Sequence, residues 1–507
     1  MTAGQGSGAE TGGRTMSLAD LGLHAAGGRE ARVAGLTSDS REVRPGMLFA
    51  ALPGSRAHGA TFIDTALRQG AVAILTDAAG AEIARPALPG TGAALVVAED
   101  ARATLARAAA LWFGPQPATM VAVTGTNGKT SVATFCRQIW AEMGLAAINL
   151  GTTGVEGAWT HPLRHTTPDP VMLHRVLAEA AGAGISHCAM EASSHGLDQR
   201  RLDGVLLAAA GFTNFSQDHL DYHKTFEAYF AAKMGLFTRI LPEEGVAVVN
   251  LDDPKGPEVA EIARDRGQEV IGVGRSKDAR LRLVTERFDA TGQELRFEWQ
   301  GRPHLVRLRL IGGFQAENAL VAAGLVIAAG GDPDEVFRAL PQLSTVRGRM
   351  QLAATRDNGA VVFVDYAHTP DAIETALAAL RPHVMGRIVA IIGAGGDRDA
   401  GKRPLMGAAA ARHADHVIVT DDNPRSEDPA AIRAAVLAGI EAGTDVAEVG
   451  DRATAILHGI DALGPGDALL ICGKGHETGQ VVGQDVLPFD DAEQASIAVA
   501  ALDGRGG

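Results

Sequence analysis

Gly125-Thr126-Asn127-Gly128-Lys129-Thr130 is the stretch on which the architecture turns. An apolar run at 120–123 precedes it and an amphipathic run at 131–143 follows, which predicts a strand, a tight loop and a helix. Glycines let backbone N–H groups approach an anion, and a helix start adds partial positive charge. In that setting Lys129 reaches β- and γ-phosphate oxygens, Thr130 offers Mg²⁺ a hydroxyl and Ser131 opens the helix. A full phosphate-loop pattern has another glycine at 123, where this chain carries Val123. A glycine-rich turn is the bland alternative in a chain with 62 glycines, and the strand-loop-helix context favours ATP over it.

Working outward, further strands are expected over 187–190 and 245–250, with a β-rich stretch over 280–310. That alternation predicts a parallel sheet with some antiparallel pairing late. Gly114, Pro115 and Pro117 punctuate the chain just before this region. Ahead of them, β-rich runs at 47–52, 71–76 and 93–97 alternate with a helical stretch at 61–69. Beyond 344–348 the pattern restarts, with strands expected over 361–365, 388–392, 416–420 and 468–472. The expectation is an α/β protein of three domains: a flexible tail at 1–16, a small α/β domain at 17–117, a central phosphate-loop domain at 118–345 and a Rossmann-like domain at 346–507. A length of 507 residues agrees, at roughly 100 to 200 residues per domain.

Composition excludes several function classes. A net charge of -14 argues against gripping nucleic acid or anionic lipid through bulk electrostatics. Cys136, Cys188 and Cys472 are far apart and in no metal-like spacing, so a reducing, cytoplasmic setting is expected. The first residues lack a signal-peptide pattern, and the longest apolar run, 319–331, is too short to span a bilayer. No membrane span is expected, and a monomer is.

Several polar strings fall at expected strand ends. Glu191-Ala192-Ser193-Ser194-His195-Gly196 places a carboxylate where a phosphate-loop sheet holds Mg²⁺, although a lone strand-terminal Glu is more often a solvated end or a cap. The segment 214–223, with Asp218, His219, Asp221 and His223, supplies ligands for a second Mg²⁺ or merely a capped helix start. Lys233 falls among Tyr229, Phe230 and Phe237 by helical spacing, an odd place for an ammonium unless its stem snorkels outward. In the last domain Asp365 to Pro370, Gly393 to Arg398, Asp422 to Arg425 and Gly473 to Glu477 each follow an expected strand. Each alone could be turn chemistry; four on one rim make a site.

With these strings in view, the chain resembles the Mur ligase family over nearly everything from Ser17 to Leu502, and within it the members that add meso-diaminopimelate. Its short phosphate loop normally lacks the first glycine, so Val123 supports the resemblance. The resemblance implies that Ser38, Ser40, Thr166, Thr167, Ser193, Gln199 and Arg201 contact a UDP-muramoyl dipeptide, and His165 departs from the usual Asn. Ser55, Arg56 and Ala57 stand beside the uridine contacts. It implies that Gly125 to Ser131 bind ATP, with Asn318 near the adenine and Arg349 and Asp365 across the cleft. Glu191, His219 and Thr130 are implied metal ligands, and Lys233 matches the lysine that CO₂ carbamoylates in the family, giving an anion able to bind Mg²⁺. Lys129, Glu191, His219 and Lys233 are thus the implied catalytic set. Arg398, Asp422, Asn423, Pro424, Arg425, Gly473 and Glu477 match the pocket for the incoming diamino acid, Arg425 being the residue expected to reject lysine.

The implied reaction joins meso-diaminopimelate to the D-glutamyl γ-carboxylate of UDP-N-acetylmuramoyl-L-alanyl-D-glutamate through an acyl phosphate, a step of peptidoglycan precursor synthesis. Three rivals stand beside it: the same reaction with L-lysine, a folylpolyglutamate-synthase-like ligase and a nucleotide-driven switch.

Overall fold

The computed structural model describes residues 13–54, 57–163, 165–216, 220–289 and 291–504. Three α/β regions follow one another along the chain, each with its own sheet. In the first, Gly35–Thr37, Met47–Ala50, Ala73–Thr76 and Ala94–Val97 pair in parallel in that order. The helix Ala101–Phe113 buries Leu105, Ala109 and Trp112 in the same core as Leu48 and Leu75. Of the expected tail at 1–16, residues 1–12 lie outside the described ones, and Met16, with Ser17, pairs antiparallel with Arg32–Val33. Two ladder pairs and the cover of the first core hold what composition alone marked as loose.

The central sheet has ten strands. Thr119–Thr124 lies between His187–Glu191 and Ala209–Phe212, parallel to both. From the second strand the order runs outward through Val246–Asn250, Glu269–Gly274 and Leu281–Asp289, which pairs antiparallel with Gly292–Trp299, itself antiparallel to Arg302–Leu308. On the other side His187–Glu191 borders Ala147–Gly151 and then the antiparallel edge Gly154–Gly157. The chain fills that side first and then crosses, so strand order reverses beside Thr119–Thr124, the place where open α/β sheets bind ligands.

Several of these strands carry no clear sequence signal. Ala209-Ala210-Gly211-Phe212 has no β-branched residue, and its place in mid-sheet comes from neighbours on both sides. Residues 319–328 of the longest apolar run form the C-terminal part of the helix Phe314–Ala328, in whose first turns the polar Gln315 and Asn318 are also buried. This helix packs on Lys129–Glu142 in the core beneath the sheet, where each fully buried Phe, Ile or Leu contributes about 1.5–3 kcal/mol. Among the described residues no helix is long and apolar enough to cross a membrane.

The third sheet runs Gln351–Thr355, Val361–Asp365, Ala468–Cys472, Ile388–Ile392, His416–Val419 and Val446–Glu448, parallel except for the first strand. A separate hairpin, Gly479–Val482 with Asp485–Pro488, projects from its rim. The third region docks on the central one through His383, whose Nδ1 lies 2.7 Å from Asp289 O and whose Nε2 accepts from Gly312 N at 3.0 Å.

Candidate active site between two sheet rims

The loop after Thr119–Thr124 owes its shape to two glycines. Gly125 (φ +150°) and Gly128 (φ +85°) leave no room for a side chain: a Cβ would meet Thr213 Oγ1 at 1.9 Å and Asn318 Oδ1 at 2.5 Å. The helix begins at Lys129, two residues earlier than expected, so Lys129 and Thr130 occupy its first turn. Lys129 Nζ donates to Gly125 O at 2.9 Å and to Thr126 O at 2.8 Å. Asn127 N donates to Asn214 Oδ1 at 2.8 Å, tying the loop to the end of the adjacent strand.

Glu191 closes its strand with a buried carboxylate that accepts from Thr152 N at 2.8 Å and Thr152 Oγ1 at 3.2 Å. From it a connected chain of polar groups leads away. Thr152 Oγ1 and Thr166 Oγ1 are 3.0 Å apart, and Thr167 Oγ1 donates to Glu191 O at 3.0 Å. Ser193 Oγ meets Thr167 Oγ1 at 3.0 Å while accepting from Gly196 N, so it also caps the short helix Ser194–Asp198. Arg201 donates to Thr167 O at 2.5 Å and to Gln199 Oε1 at 2.7 Å, and Gln199 Nε2 donates to Tyr222 OH at 3.0 Å. The expected dipeptide contacts Thr166, Thr167, Ser193, Gln199 and Arg201 therefore form one network touching Glu191. Ser38 and Ser40 lie on the loop after Gly35–Thr37 and do not line the cleft described below. Asp218 and His219, like Ser55 and Arg56, lie outside the described residues, as does the side chain of Asp221.

Lys233 is 1% exposed on the helix Phe226–Gly235, its Nζ 4.5 Å from the centre of the Tyr229 ring. It donates to Gly125 O at 2.7 Å, the same carbonyl that Lys129 engages. Two lysine side chains thus converge on one phosphate-loop oxygen.

Facing this loop across a cleft of about 530 Å³ is the rim of the third sheet, which contributes Arg349, Asp365, Tyr366, His368 and Asp371. Ser216 Oγ donates to Asp371 Oδ2 at 3.0 Å and bridges the two rims. Asp365 accepts from Met350 N at 2.6 Å and Ala367 N at 2.8 Å. Burial pushes its carboxyl up from the ordinary range, against Arg349 and these two bonds. Arg349 stacks over Tyr366, 4.6 Å from the ring centre. Asn318 and Glu317 line the central side, and burial, with Asp252 and Glu286 adding to it, pushes Glu317 up to about 6.

Beside the cleft, Asp422, Asn423 and Pro424 are buried at the end of His416–Val419. Asn423 Nδ2 donates to Glu477 Oε2 at 2.9 Å, and Arg425, at φ +50°, donates from Nη1 to Gly396 O at 2.8 Å. Gly473 (φ +117°) lets Asp422 come close, since a Cβ there would sit 2.4 Å from Asp422 Oδ2. Burial raises the Glu477 carboxyl in spite of the Asn423 bond. Arg398 is exposed and, like Arg425, lies next to Gly395. Two arginines, two carboxylates and an amide gathered on this part of the rim suit a ligand that carries both a carboxylate and an ammonium.

Three supports carried little sequence signal. Lys474 is buried directly beneath Asn423, and only its place between two glycines of a rim string marked it. Arg452 and Asp491 form a fully buried ion pair at 2.7 Å, with Arg452 also donating to Cys472 O and Asp421 O, the strand ends that launch Gly473 and Asp422. Nothing in their sequence positions could have paired them. Thr152, which clamps Glu191, looks locally like any loop threonine.

A phosphate loop facing a second α/β rim across one cleft fits an ATP-dependent ligase that forms amide bonds. Models of the Mur ligase family, catalytic domain, the Mur ligase middle domain and the Mur ligase, glutamate ligase domain match residues 32–112, 123–326 and 348–475. The UDP-N-acetylmuramoyl-L-alanyl-D-glutamate--2,6-diaminopimelate ligase of Bradyrhizobium diazoefficiens is 51% identical over 477 residues, spanning 92% of this chain and 95% of that one. The identically named protein of Caulobacter vibrioides is 50% identical over 478 residues, spanning 93% and 96%. A solved structure under the same name superposes with TM-score 0.70 at 33% identity over 96% of this chain and 99% of that one. The Mycobacterium tuberculosis folylpolyglutamate synthase complexed with ADP shares the fold, with TM-score 0.60 at 20% identity over 80% and 94%. The chain belongs to the Mur ligase family.

Proposed function

We propose that this enzyme joins an amine of meso-diaminopimelate to the D-glutamyl γ-carboxylate of UDP-N-acetylmuramoyl-L-alanyl-D-glutamate at the cost of ATP, extending a peptidoglycan precursor. The observation that carries it is the cleft of about 530 Å³, lined together by the phosphate loop, by Glu191, Thr166 and Ser193 of the polar network, and by the third-sheet rim. Residues 17–117 bind the UDP moiety through Ser38 and Ser40, 118–345 bind ATP, and 346–507 bind the incoming amino acid. Thr166, Thr167, Ser193, Gln199 and Arg201 orient the dipeptide. Its γ-carboxylate attacks the γ-phosphate of ATP, expelling ADP and giving an acyl phosphate; Lys129, released from Gly125 O and Thr126 O, offsets charge on the transferring oxygens. The amine then attacks the acyl carbon, and phosphate leaves. Asp422 and Glu477 hold an ammonium, while Arg398 and Arg425 hold a carboxylate.

Mg²⁺ fits the donors present. Glu191 and Thr130 offer hard oxygens of the kind that hold it alongside phosphates. When bound, the ion neutralises phosphate charge. Carbamoylation of Lys233 would replace one of the two converging ammonium groups with an anion and add an oxygen donor, with His219 as a further ligand. Both rims of the cleft come from one chain, so a monomer suffices.

The test is ATP-dependent phosphate release with the UDP-dipeptide and a panel of amino acids. Release that requires both the dipeptide and meso-diaminopimelate is expected. Preference for lysine would overturn the specificity, and release without either acceptor would point to a nucleotide-driven switch.

A further inference from the structure

Lys474 has no part in the reaction just described, yet it is buried against Asn423 and Glu477, between the 422–425 loop and the hairpin. Its side chain is 0% exposed, a costly place for an ammonium without strong partners. Nζ donates to Asn423 Oδ1 at 2.9 Å and to Gly479 O at 2.7 Å, with Glu477 Oε2 3.9 Å away. Asn423 Oδ1 accepts a second bond from Val481 N at 2.9 Å. Two donors on that oxygen fix the amide, so Nδ2 must face Glu477, where it donates to Oε2 at 2.9 Å. The reversed amide would set N–H groups against an ammonium and an oxygen against a carboxylate.

The same lysine joins three segments. Gly479 opens the projecting hairpin, and the hairpin grips the 422–425 loop. Arg425 N donates to Val481 O at 3.0 Å, Gly483 N to Arg425 O at 2.7 Å and Gln480 Nε2 to Asp422 O at 2.7 Å. Arg425 itself holds a positive φ of +50°, which surrounding contacts must maintain.

We propose that Lys474 is a positioning residue for the incoming amino acid: it locks the Asn423 amide, and the locked amide aims the Glu477 carboxylate into the pocket. This rests on the proposed assignment of that pocket to the diamino acid. Lys474 acts through Asn423, so losing one should make losing the other nearly silent.

The experiment measures phosphate release by the full-length wild type, Lys474→Met, Asn423→Ala and the double variant, varying meso-diaminopimelate and ATP separately. Lys474→Met should raise KM for the diamino acid about tenfold while KM for ATP stays within about twofold. The double variant should match Asn423→Ala within about twofold. An unchanged KM for the diamino acid in Lys474→Met, or effects that multiply in the double variant, would overturn the proposal. Should Lys474→Met show no cooperative thermal transition, Lys474→Gln takes its place. Gln keeps an N–H for Asn423 Oδ1, so KM within about threefold of wild type is expected, and a KM as high as that of Asn423→Ala refutes the role. Wild type that releases phosphate independently of any diamino acid would instead sink the pocket assignment, which separates the two failures.

Discussion

The phosphate loop at 125–130 and the loop at 422–425 both cap a parallel strand, but they differ in what shapes them. The first takes its shape from its own glycines and the helix that follows it, with Lys233 and Asn214 bonded to its backbone. The second is held by buried charges from distant positions: Lys474 under Asn423, and the Arg452–Asp491 pair under the strand ends. A ligand common to many proteins, a phosphate, needs only a local backbone cradle. Recognising one zwitterionic side chain needs several charges at set distances, which a short segment cannot provide.

Breaking the buried pair should have the largest effect. Asp491→Ala leaves the Arg452 guanidinium buried and unpaired, which should destabilise the third region by about 3–5 kcal/mol in urea unfolding. If nucleotide affinity falls as steeply as stability, the two loops are less independent than their supports suggest. Lys129→Ala addresses the other loop. Phosphate release should drop about 10² to 10³-fold with the melting temperature unchanged, and retained ligation would remove this loop from catalysis.

Arg425→Lys sharpens the contrast at the level of specificity. A lysine cannot fork onto a carboxylate, so preference for meso-diaminopimelate over L-lysine should narrow about tenfold, read as a ratio of kcat/KM values. The smallest effect is expected at the joint between the regions. Burial holds His383 below its ordinary 6.5, and its neutral ring makes both interdomain bonds. Because the folded pKa lies below the unfolded one, this stabilisation is present above pH 6.5 and is lost as pH falls below it. His383→Gln should flatten the fall in stability between about pH 6.5 and 5, and an unchanged slope would remove the histidine from the joint.

How far the sequence could be read follows the same division. Gly125 to Thr130 was legible because strand, loop and helix are contiguous, and the polar strings at 191, 365 and 422 were legible because apolar runs end there. Lys233 was marked as buried by helical spacing, although spacing could not show that it meets Lys129 at Gly125 O. Ala209–Phe212 was missed because a mid-sheet strand can be built from small residues when both neighbours are present.

By itself the sequence determined three α/β regions, a phosphate loop and four polar strings on one rim, since periodicity and glycine placement are local properties of the chain. Only tertiary structure decided that two rims share one cleft, that Glu191 leads through Thr167 to Arg201, and that Lys474 governs Asn423. Those pairings join residues far apart in sequence, and long-range sheet order and buried charge, not local propensity, bring them together.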